Sequence, residues 1–228
     1  MSPRNTAFLC SLVLLLSSPA AFAASIYLKS GNVPPTALEP AITYLVEPSG
    51  QCAQPFANAF TPADFAAADA GPFAWSVPQY GAWGALTCDP AAGWISTGPT
   101  WPSRSALYSI PFTIDLPDPC CIQRATLDLC FMADDNTGDA IFGGPNPLGV
   151  YINGSGTGGP SANYATPTRY IVDITTLVHC GLNHLYIYNR DAGCAVSGID
   201  FSAHIDYFEC VTPTQASSWG QVRALYRN

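Results

Sequence analysis

Eight of the nine cysteines constrain the fold of this chain more than any other feature of its sequence; the ninth, Cys10, lies in the apolar N-terminal run. The eight all lie beyond the first fifty residues, at Cys52, Cys88, Cys120, Cys121, Cys130, Cys180, Cys194 and Cys210. An even number of cysteines in an oxidising compartment is typical of a disulfide framework, so we expect every one of them to be bridged. The spacing leaves the pairing open. A zinc site is the alternative, but zinc sites use closely spaced cysteine pairs, and the close pair here is the adjacent Cys120 and Cys121.

The N-terminus is interpreted as a signal peptide covering residues 1–23. Arg4 precedes an apolar run from Ala7 to Leu16, and Ala21-Phe22-Ala23 has the small residues of a cleavage site. The apolar run is shorter than the roughly 20 residues that cross a bilayer as a helix, and no later stretch is suited to membrane insertion. We therefore expect a secreted protein, either extracellular or at the cell surface.

Charged residues are sparse and mostly acidic. Lysine and arginine together number 8 against 16 aspartates and glutamates, which gives a formal net charge of −8. Phosphate recognition requires clustered Lys and Arg, so this composition argues against nucleic acid and against anionic membrane surfaces as partners. The 19 glycines and 21 prolines favour turns and short strands over long helices.

Runs of alternating apolar and polar residues predict an all-β protein. The clearest are residues 124–132, 185–188 and 199–208, and Asn153-Gly154 has the composition of a two-residue hairpin turn. Strand after strand with turns between them predicts an antiparallel β-sandwich, stapled by disulfides. Asn153 also begins a formal N-glycosylation sequon, and the sequence leaves its use open.

Four segments are expected along the chain. They are the signal peptide at 1–23, an N-terminal strand with a Pro-rich linker at 24–48, a β-jelly-roll domain at 49–210, and a polar linker with a short amphipathic C-terminal tail at 211–228. The tail is interpreted either as a turn packed on the domain or as a sorting signal, and both interpretations stay open.

Seven motifs follow one another in an order that resembles a known family. They are Trp94-Ile95, IPFTI at 110–114, ATLDLCFMADD at 125–135, VYING at 150–154, VDITTL at 172–177, GLNHLYIYN at 181–189 and SGIDF at 197–201. This order resembles the galactose-binding-like β-jelly-roll domains of secreted bacterial proteins, over residues 94–208. The resemblance implies a jelly-roll fold. It implies no single ligand, because such domains serve as lectin modules, enzyme appendages and structural units.

Asp134, Asp135, Asn136 and Asp139 form the densest group of oxygen ligands in the sequence. Calcium takes about six to eight oxygens, and the family that the chain resembles often carries calcium near the jelly-roll edge, so these four are candidate calcium ligands. Their spacing does not match an EF-hand loop. Asp and Asn also form turns at strand ends, which is the alternative interpretation. No cofactor is expected to be required.

Two loop tryptophans are candidate glycan contacts. Trp83 and Trp101 lie in Gly- and Pro-rich stretches, and a flat indole ring suits the apolar face of a sugar. Anchoring of the loops to the core is the alternative. The alternation of neighbouring residues places Trp75 and Trp94 in the core.

No catalytic constellation is recognisable in the sequence. The three histidines lack the HExxH spacing of a metalloprotease, and no GxSxG motif provides a serine nucleophile. A glycosidase requires paired carboxylates, but the glutamates number three and each lies near a proline or a cysteine. We therefore expect a protein that is not an enzyme.

Two functions remain. Ile26, Tyr27, Leu28 and Lys29 form a short strand that Gly31 and two prolines separate from the body, and such a strand can pair with the sheet edge of a neighbouring copy. Repetition of that contact would build a homopolymer, such as an extracellular filament or a surface layer. The alternative is a lectin-like, carbohydrate-binding jelly-roll module. The expected partners are thus further copies of the chain, or glycans.

Overall fold

Twelve β-strands and one short α-helix make up residues 23–116 and 120–210, the part of the chain that the computed structural model describes. The predicted signal peptide, apart from Ala23, and the predicted tail at 211–228 lie outside the described residues. In chain order the elements are β1 Ala23–Lys29, β2 Leu38–Val46, α1 Pro62–Asp69, β3 Phe73–Ser76, β4 Ile95–Ser96, β5 Ala106–Ile114, β6 Ile122–Asp134, β7 Asn136–Thr137, β8 Val150–Ile152, β9 Ser155–Gly156, β10 Thr168–Asp173, β11 Gly181–Arg190 and β12 Gly198–Glu209.

All strand pairings among these elements are antiparallel. The strand order is β10-β6-β12-β4-β3-β2-β5-β11-β8-β9, with β1 on β12 and β7 on β11. Strands from both ends of this order share one hydrophobic core, so the sheet folds back on itself into two layers. One layer is β10-β6-β12-β1, and the other contains β2, β5, β11 and β8. The expected all-β, antiparallel class is confirmed.

Alternation along β12 shows how the sequence builds this core. The inward residues Phe201, Ala203, Ile205 and Tyr207 are buried, whereas His204 and Asp206 between them are exposed. This is the division between faces that the sequence predicts. Full burial of a large apolar side chain contributes about 1.5–3 kcal/mol, so the strands are held mainly by the inner faces of the two layers.

Helix α1 covers the outer face of the second layer. The Asp64 carboxylate accepts hydrogen bonds from the backbone N–H (2.8 Å) and the hydroxyl (2.6 Å) of Thr61, which fixes the start of the helix. Phe65 and Ala68 are buried against the outer side of β8 and β11. No helix within the described ranges combines the length and the apolar character that crossing a membrane requires.

Four disulfides staple the fold, as the cysteine count predicts. The pairs are Cys52–Cys194, Cys88–Cys130, Cys120–Cys180 and Cys121–Cys210. The adjacent Cys120 and Cys121 reach in different directions, one to the start of β11 and the other to the end of β12, and so tie the two layers together at one end. Bridges of this number fit an oxidising compartment.

The predicted hairpin turn at Asn153-Gly154 joins β8 and β9, and both residues have positive φ angles of 49° and 78°. The side chain of Asn153 is engaged in the turn. Its Nδ2 donates to the carbonyl of Leu177 and to Oδ1 of Asn183, each at 2.8 Å, and its Oδ1 accepts from the N–H of His184. A glycan on Nδ2 would displace at least one of these hydrogen bonds.

The boundary expected at residue 48 has no counterpart in the described part of the chain. β1 pairs with β12, and β2 pairs with β3 and β5, so residues 24–48 belong to the same sheet as the rest. The Pro34-Pro35 segment is a tight connection rather than a linker. The N–H of Thr36 donates to the carbonyl of Ser76 at 2.7 Å, and this bond holds the connection against β3.

Candidate functional site

Strand β1 lies at the edge of the first layer. Seven residues pair with β12 in register, from Ala23 opposite Phe208 to Lys29 opposite Ser202. Ile26 and Leu28 point inward and pack against the main core, whereas Tyr27 points outward and is 46% exposed. All four residues of the predicted assembly strand are therefore part of the chain's own sheet. Pairing with another copy stays a prediction.

The outer face of this layer carries a groove of about 590 Å³. It crosses all four strands and is bounded by one loop, and its lining consists of Tyr27, Cys88, Asp89, Asp128, Cys130, Arg169, Ser202 and His204. The strand register explains how these residues meet: Tyr27, His204 and Asp128 are successive cross-strand partners. Cross-strand partners on one face lie close enough for their side chains to interact, so the register alone forms a polar strip.

Tyr27 and Asp89 form one end of the groove. The Tyr27 hydroxyl donates a hydrogen bond to Asp89 Oδ2, and the ring lies 5.0 Å from that of His204. Burial and the bond to Asp89 raise the pKa of Tyr27 to about 12, so the phenol keeps its proton at neutral pH. The same hydrogen bond fixes the direction of the ring, which gives the groove a firm aromatic wall.

Arg169 and Asp128 form the opposite end. The guanidinium donates two hydrogen bonds to the carboxylate, from Nε at 2.9 Å and from Nη2 at 2.5 Å. These bonds hold the pKa of Asp128 below its usual range, so the carboxylate is ionised at neutral pH. Paired in this planar geometry, both groups keep further acceptor and donor positions that face solvent.

The disulfide between Cys88 and Cys130 brings Asp89 to the groove. Cys130 lies on β6, and Cys88 belongs to the loop before β4. Within that loop the N–H of Ala91 donates to Asp89 Oδ1 at 3.0 Å, and Lys29 Nζ donates to the Ala91 carbonyl at 2.8 Å. The loop is thus bound covalently to β6 and by hydrogen bonds to β1.

Sequence reasoning missed four residues of this groove, Asp89, Asp128, Arg169 and His204. The signal for three of them was present, because each occupies a polar position in an alternating strand. Which strands lie side by side was not readable, since β10, β6, β12 and β1 are distant in sequence. Asp89 gave no signal, because only the disulfide places it.

The two candidate glycan tryptophans lie elsewhere, and they differ. Trp83 is 4% exposed: its ring stacks on Trp94 at 4.0 Å and its Nε1 donates to Asp134 at 2.9 Å, so the expectation of an exposed loop residue is wrong. Trp101 is half-buried and packs edge to face on Tyr80. The prediction that Trp94 belongs to the core is confirmed, whereas Trp75 is partly buried.

The carboxyl groups of Asp134 and Asp135 lie close enough to interact, whereas Asp139 bonds elsewhere, so the four candidate calcium ligands do not converge on one point. Asp134 bonds to Trp83, Asp135 accepts from the N–H of Ala192 at 2.7 Å, and Asp139 accepts from the N–H of Asn146 at 2.9 Å. No group of three or more His, Cys, Asp or Glu side chains in the described residues has a metal-binding arrangement. Asn136 is buried on β7, and calcium stays a prediction without a common site among these residues.

A serine, a histidine and an aspartate meet on the outer face of the second layer. Ser109 Oγ donates to Asp69 Oδ1 at 2.6 Å, and His184 Nδ1 lies 3.0 Å from Ser109 Oγ and 3.1 Å from Asp69 Oδ1. A catalytic relay places the serine and the aspartate on opposite ring nitrogens. Here both contact Nδ1, and Ser109 is only 1% exposed, so this cluster does not have the geometry of a serine hydrolase.

No protein-family model matches this chain, and no curated protein sequence matches it. Among solved structures, the isomalto-dextranase of Arthrobacter globiformis T6 in complex with panose is similar, with 12% sequence identity and a TM-score of 0.30. The similarity covers 58% of this chain and 20% of that chain. A TM-score of this size supports no statement about ligand or activity, so the function has to be inferred from the residues of this chain.

Proposed function

We propose that this protein is a non-catalytic, secreted structural subunit that polymerises by donating β1 to β12 of a neighbouring copy. The observation that carries the proposal is the position of β1. Within the described residues it forms a ladder with β12 and with no other strand, and it is the first element of the described part of the chain. An edge strand of this kind can be exchanged without altering the rest of the sheet.

Exchange of β1 between copies costs little free energy, because its contacts with β12 of a neighbouring copy would be the same as its contacts with β12 of its own chain. The six paired residues that follow the predicted cleavage site, Ala24 to Lys29, would keep their partners on β12, and Ile26 and Leu28 would fill the same positions against the core. Only the connection between β1 and β2 changes its path. That connection contains Gly31, at a φ of +68°, and the Pro34-Pro35 pair. Domain exchange through such a connection is a common route to oligomers.

The surface chemistry suits a polymer exposed outside the cell. Charged residues make up 11% of the chain, and all eight cysteines of the described part are bridged. Removal of β1 would open the edge of β12 from Ser202 to Phe208 and uncover apolar side chains of the core. Open edges of this kind favour pairing with another strand, so head-to-tail donation would protect each acceptor.

A cysteine pair tests the exchange directly. Ser25 and Asp206 are cross-strand partners on the outer face, both exposed, and antiparallel partners lie at a spacing that a disulfide can bridge. In the Ser25→Cys, Asp206→Cys double variant, exchange predicts a ladder of covalent oligomers on non-reducing gels, with fibres by negative-stain electron microscopy. Each single variant is the control for random cross-linking.

An intramolecular bond alone, in a monomer that forms no fibres, would refute the proposal. A second pair of variants separates donation from other modes of assembly. Ile26→Asp places a charge against the core and should abolish polymerisation, whereas Ser25→Lys places a charge on the outward side of the same strand, opposite Asp206, and should preserve it. Equal fibre formation by both variants would show that β1 is not the donated segment.

A carbohydrate-binding module is the second candidate function. The observation that favours it is the groove on the outer face of β10-β6-β12-β1, which combines an exposed aromatic ring with paired polar groups. Retention of the secreted protein on insoluble polysaccharides tests this candidate at the level of the whole molecule. Absence of retention on every polysaccharide, with and without calcium, would count against it.

A further inference from the structure

The groove has the parts of a sugar site, and we propose that it binds one uncharged pyranose residue of an oligosaccharide or polysaccharide. This inference rests on the second candidate function and names its site and ligand class. The Tyr27 ring would pack on the sugar face at one end, and the Asp128–Arg169 pair would hold hydroxyl groups at the other.

The aromatic wall is held in place before any ligand arrives. Tyr27 is 46% exposed, its hydroxyl is bound by Asp89, and the exposed His204 ring lies beside it at 5.0 Å. A pyranose has an apolar face of C–H groups that packs on such rings. Because the ring is already fixed by Asp89, binding would cost little side-chain entropy.

The polar end has both donors and acceptors for sugar hydroxyls. Arg169 uses Nε and Nη2 for Asp128, and its side chain is 65% exposed, so Nη1 stays free to donate. Each Asp128 oxygen can accept more than one hydrogen bond. Adjacent hydroxyls on a pyranose ring are spaced to donate to the carboxylate and to accept from the guanidinium at the same time.

The charges of the groove select against anionic sugars. The lining contains the carboxylates of Asp89 and Asp128 and the guanidinium of Arg169, and Lys29 lies near Asp89 outside the lining. Arg169 already binds the Asp128 carboxylate, and the carboxylate of a uronic acid would compete with Asp128 for it. An uncharged sugar has no carboxylate that would compete for Arg169, so uncharged sugars are the favoured ligand class.

One wall of this site belongs to β1, so the groove is complete only when that strand is in place. Within a single chain Tyr27 and His204 are cross-strand partners. If β1 is donated to a neighbour, the same register places Tyr27 of one copy beside His204 of the next. The sugar site and strand docking are then linked, because a bound sugar contacts both strands and stabilises their pairing.

Isothermal titration of the full secreted chain with cellohexaose, maltohexaose, mannohexaose and hexagalacturonate tests the inference. At least one neutral hexaose should bind, about tenfold or more tightly than hexagalacturonate. Tyr27→Ala and Arg169→Ala should each weaken that binding by about tenfold or more. The matched controls are Phe142→Ala and Arg124→Ala, which remove an exposed aromatic ring and an exposed arginine outside the groove and should leave the affinity unchanged.

The possible results distinguish failure of the groove as the binding site from failure of carbohydrate binding as a whole. No binding by the unaltered chain would overturn the groove and the second candidate function together. Binding that the two groove variants preserve and Trp101→Ala abolishes would overturn the groove and leave carbohydrate binding in place. Tighter binding of hexagalacturonate would refute the ligand class. Tyr27→Ala keeps Ile26 and Leu28, so loss of sugar binding with normal fibres would show that the site and the assembly are separate properties.

Discussion

The two outer faces of this sandwich differ, because one is covered by other parts of the chain and the other is open to solvent. Behind β5, β11 and β8, helix α1 and the segment before it cover the sheet with a cluster of aromatic rings, formed by Phe56, Phe60, Phe65, Tyr151, Tyr186 and Tyr188. The outer face of β10-β6-β12-β1 instead presents the groove, with Tyr27, Asp128, Arg169 and His204 exposed or half-buried.

The difference indicates which face carries stability and which is available for function. Aromatic rings buried between a helix and a sheet remove much apolar area from water, so the covered face contributes to folding. Exposed ion pairs contribute little to folding. The polar side chains of the open face therefore contribute little to stability, and the proposed sugar site is one function that they could serve.

The largest expected effect comes from the covered face. Phe65 is 7% exposed, and its ring lies 4.8 Å from that of Tyr186 and 5.4 Å from that of Tyr151. Phe65→Ala should lower the free energy of unfolding by about 3–5 kcal/mol. Tyr27→Ala, which removes a similar ring from the open face, should cost about 1 kcal/mol or less. Guanidinium unfolding followed by circular dichroism compares the two, and equal losses would mean that both faces serve stability.

Two disulfides allow the covered face and the open face to be compared further, because each disulfide holds a loop at one of these faces. Cys52–Cys194 holds the segment that leads to the aromatic cluster and spans 142 residues, whereas Cys88–Cys130 holds the groove loop and spans 42. Replacing either pair by alanine should cost about 2–4 kcal/mol, with the longer span costing about 1 kcal/mol more.

Sugar binding distinguishes the two disulfide variants independently of stability. Loss of Cys88–Cys130 frees Asp89 and should weaken binding of the neutral hexaose by about tenfold, measured below the unfolding transition. Loss of Cys52–Cys194 should leave the affinity unchanged. A result in which both variants bind equally would show that the groove does not depend on its loop.

The sequence predicts the covered and inner parts of this molecule better than the open face. Alternation along β12 identifies its buried residues, and Asn153-Gly154 identifies a turn, because both depend on neighbours in sequence. The number of bridges followed from the cysteine count, but their pairing did not. The Gly- and Pro-rich stretch around Trp83 predicts an exposed loop residue, whereas stacking on Trp94 buries it.

The groove was beyond sequence reasoning for a different reason. Arg169, Asp128 and His204 are adjacent only because β10, β6 and β12 are neighbours, and that order is set by long-range packing. Each residue alone is an ordinary polar position on a half-buried strand. The alternation of Ile26 to Lys29 predicts a strand because the pattern is local, but it does not indicate that the partner is β12.

Within the open layer, Asp200 offers a pH-dependent test. Its carboxylate is 3% exposed beneath the groove loop and accepts a hydrogen bond from Ser30 Oγ at 3.2 Å. Burial raises the pKa of Asp200 to about 7. The folded chain holds this proton where the unfolded chain has lost it, so this contribution to stability is complete below about pH 4 and is lost as the pH rises through 7.

The free energy of unfolding of Asp200→Asn, minus that of the unaltered protein, should therefore rise by about 3–4 kcal/mol between pH 4 and pH 8. Urea unfolding at both pH values measures this difference and cancels the contributions of the other acids. A variant whose stability relative to the unaltered chain is the same at both pH values would show that Asp200 does not titrate between folded and unfolded states in this range.

Asp128→Asn should have the smallest effect on stability and a large effect on sugar binding. Arg169 lowers the pKa of Asp128, so the pair stabilises the fold above the ordinary aspartate pKa and loses that contribution as the pH falls. Both side chains reach solvent, so salt screens their attraction and Asp128→Asn should leave the urea midpoint within experimental error at neutral pH. The same variant should weaken neutral hexaose binding by about tenfold, because an amide accepts fewer hydrogen bonds and no longer orients Arg169. If Asp128→Asn instead destabilised the chain as much as Phe65→Ala and left sugar binding intact, the open face would be a structural surface like the covered one, and the proposed division between the two faces would fail.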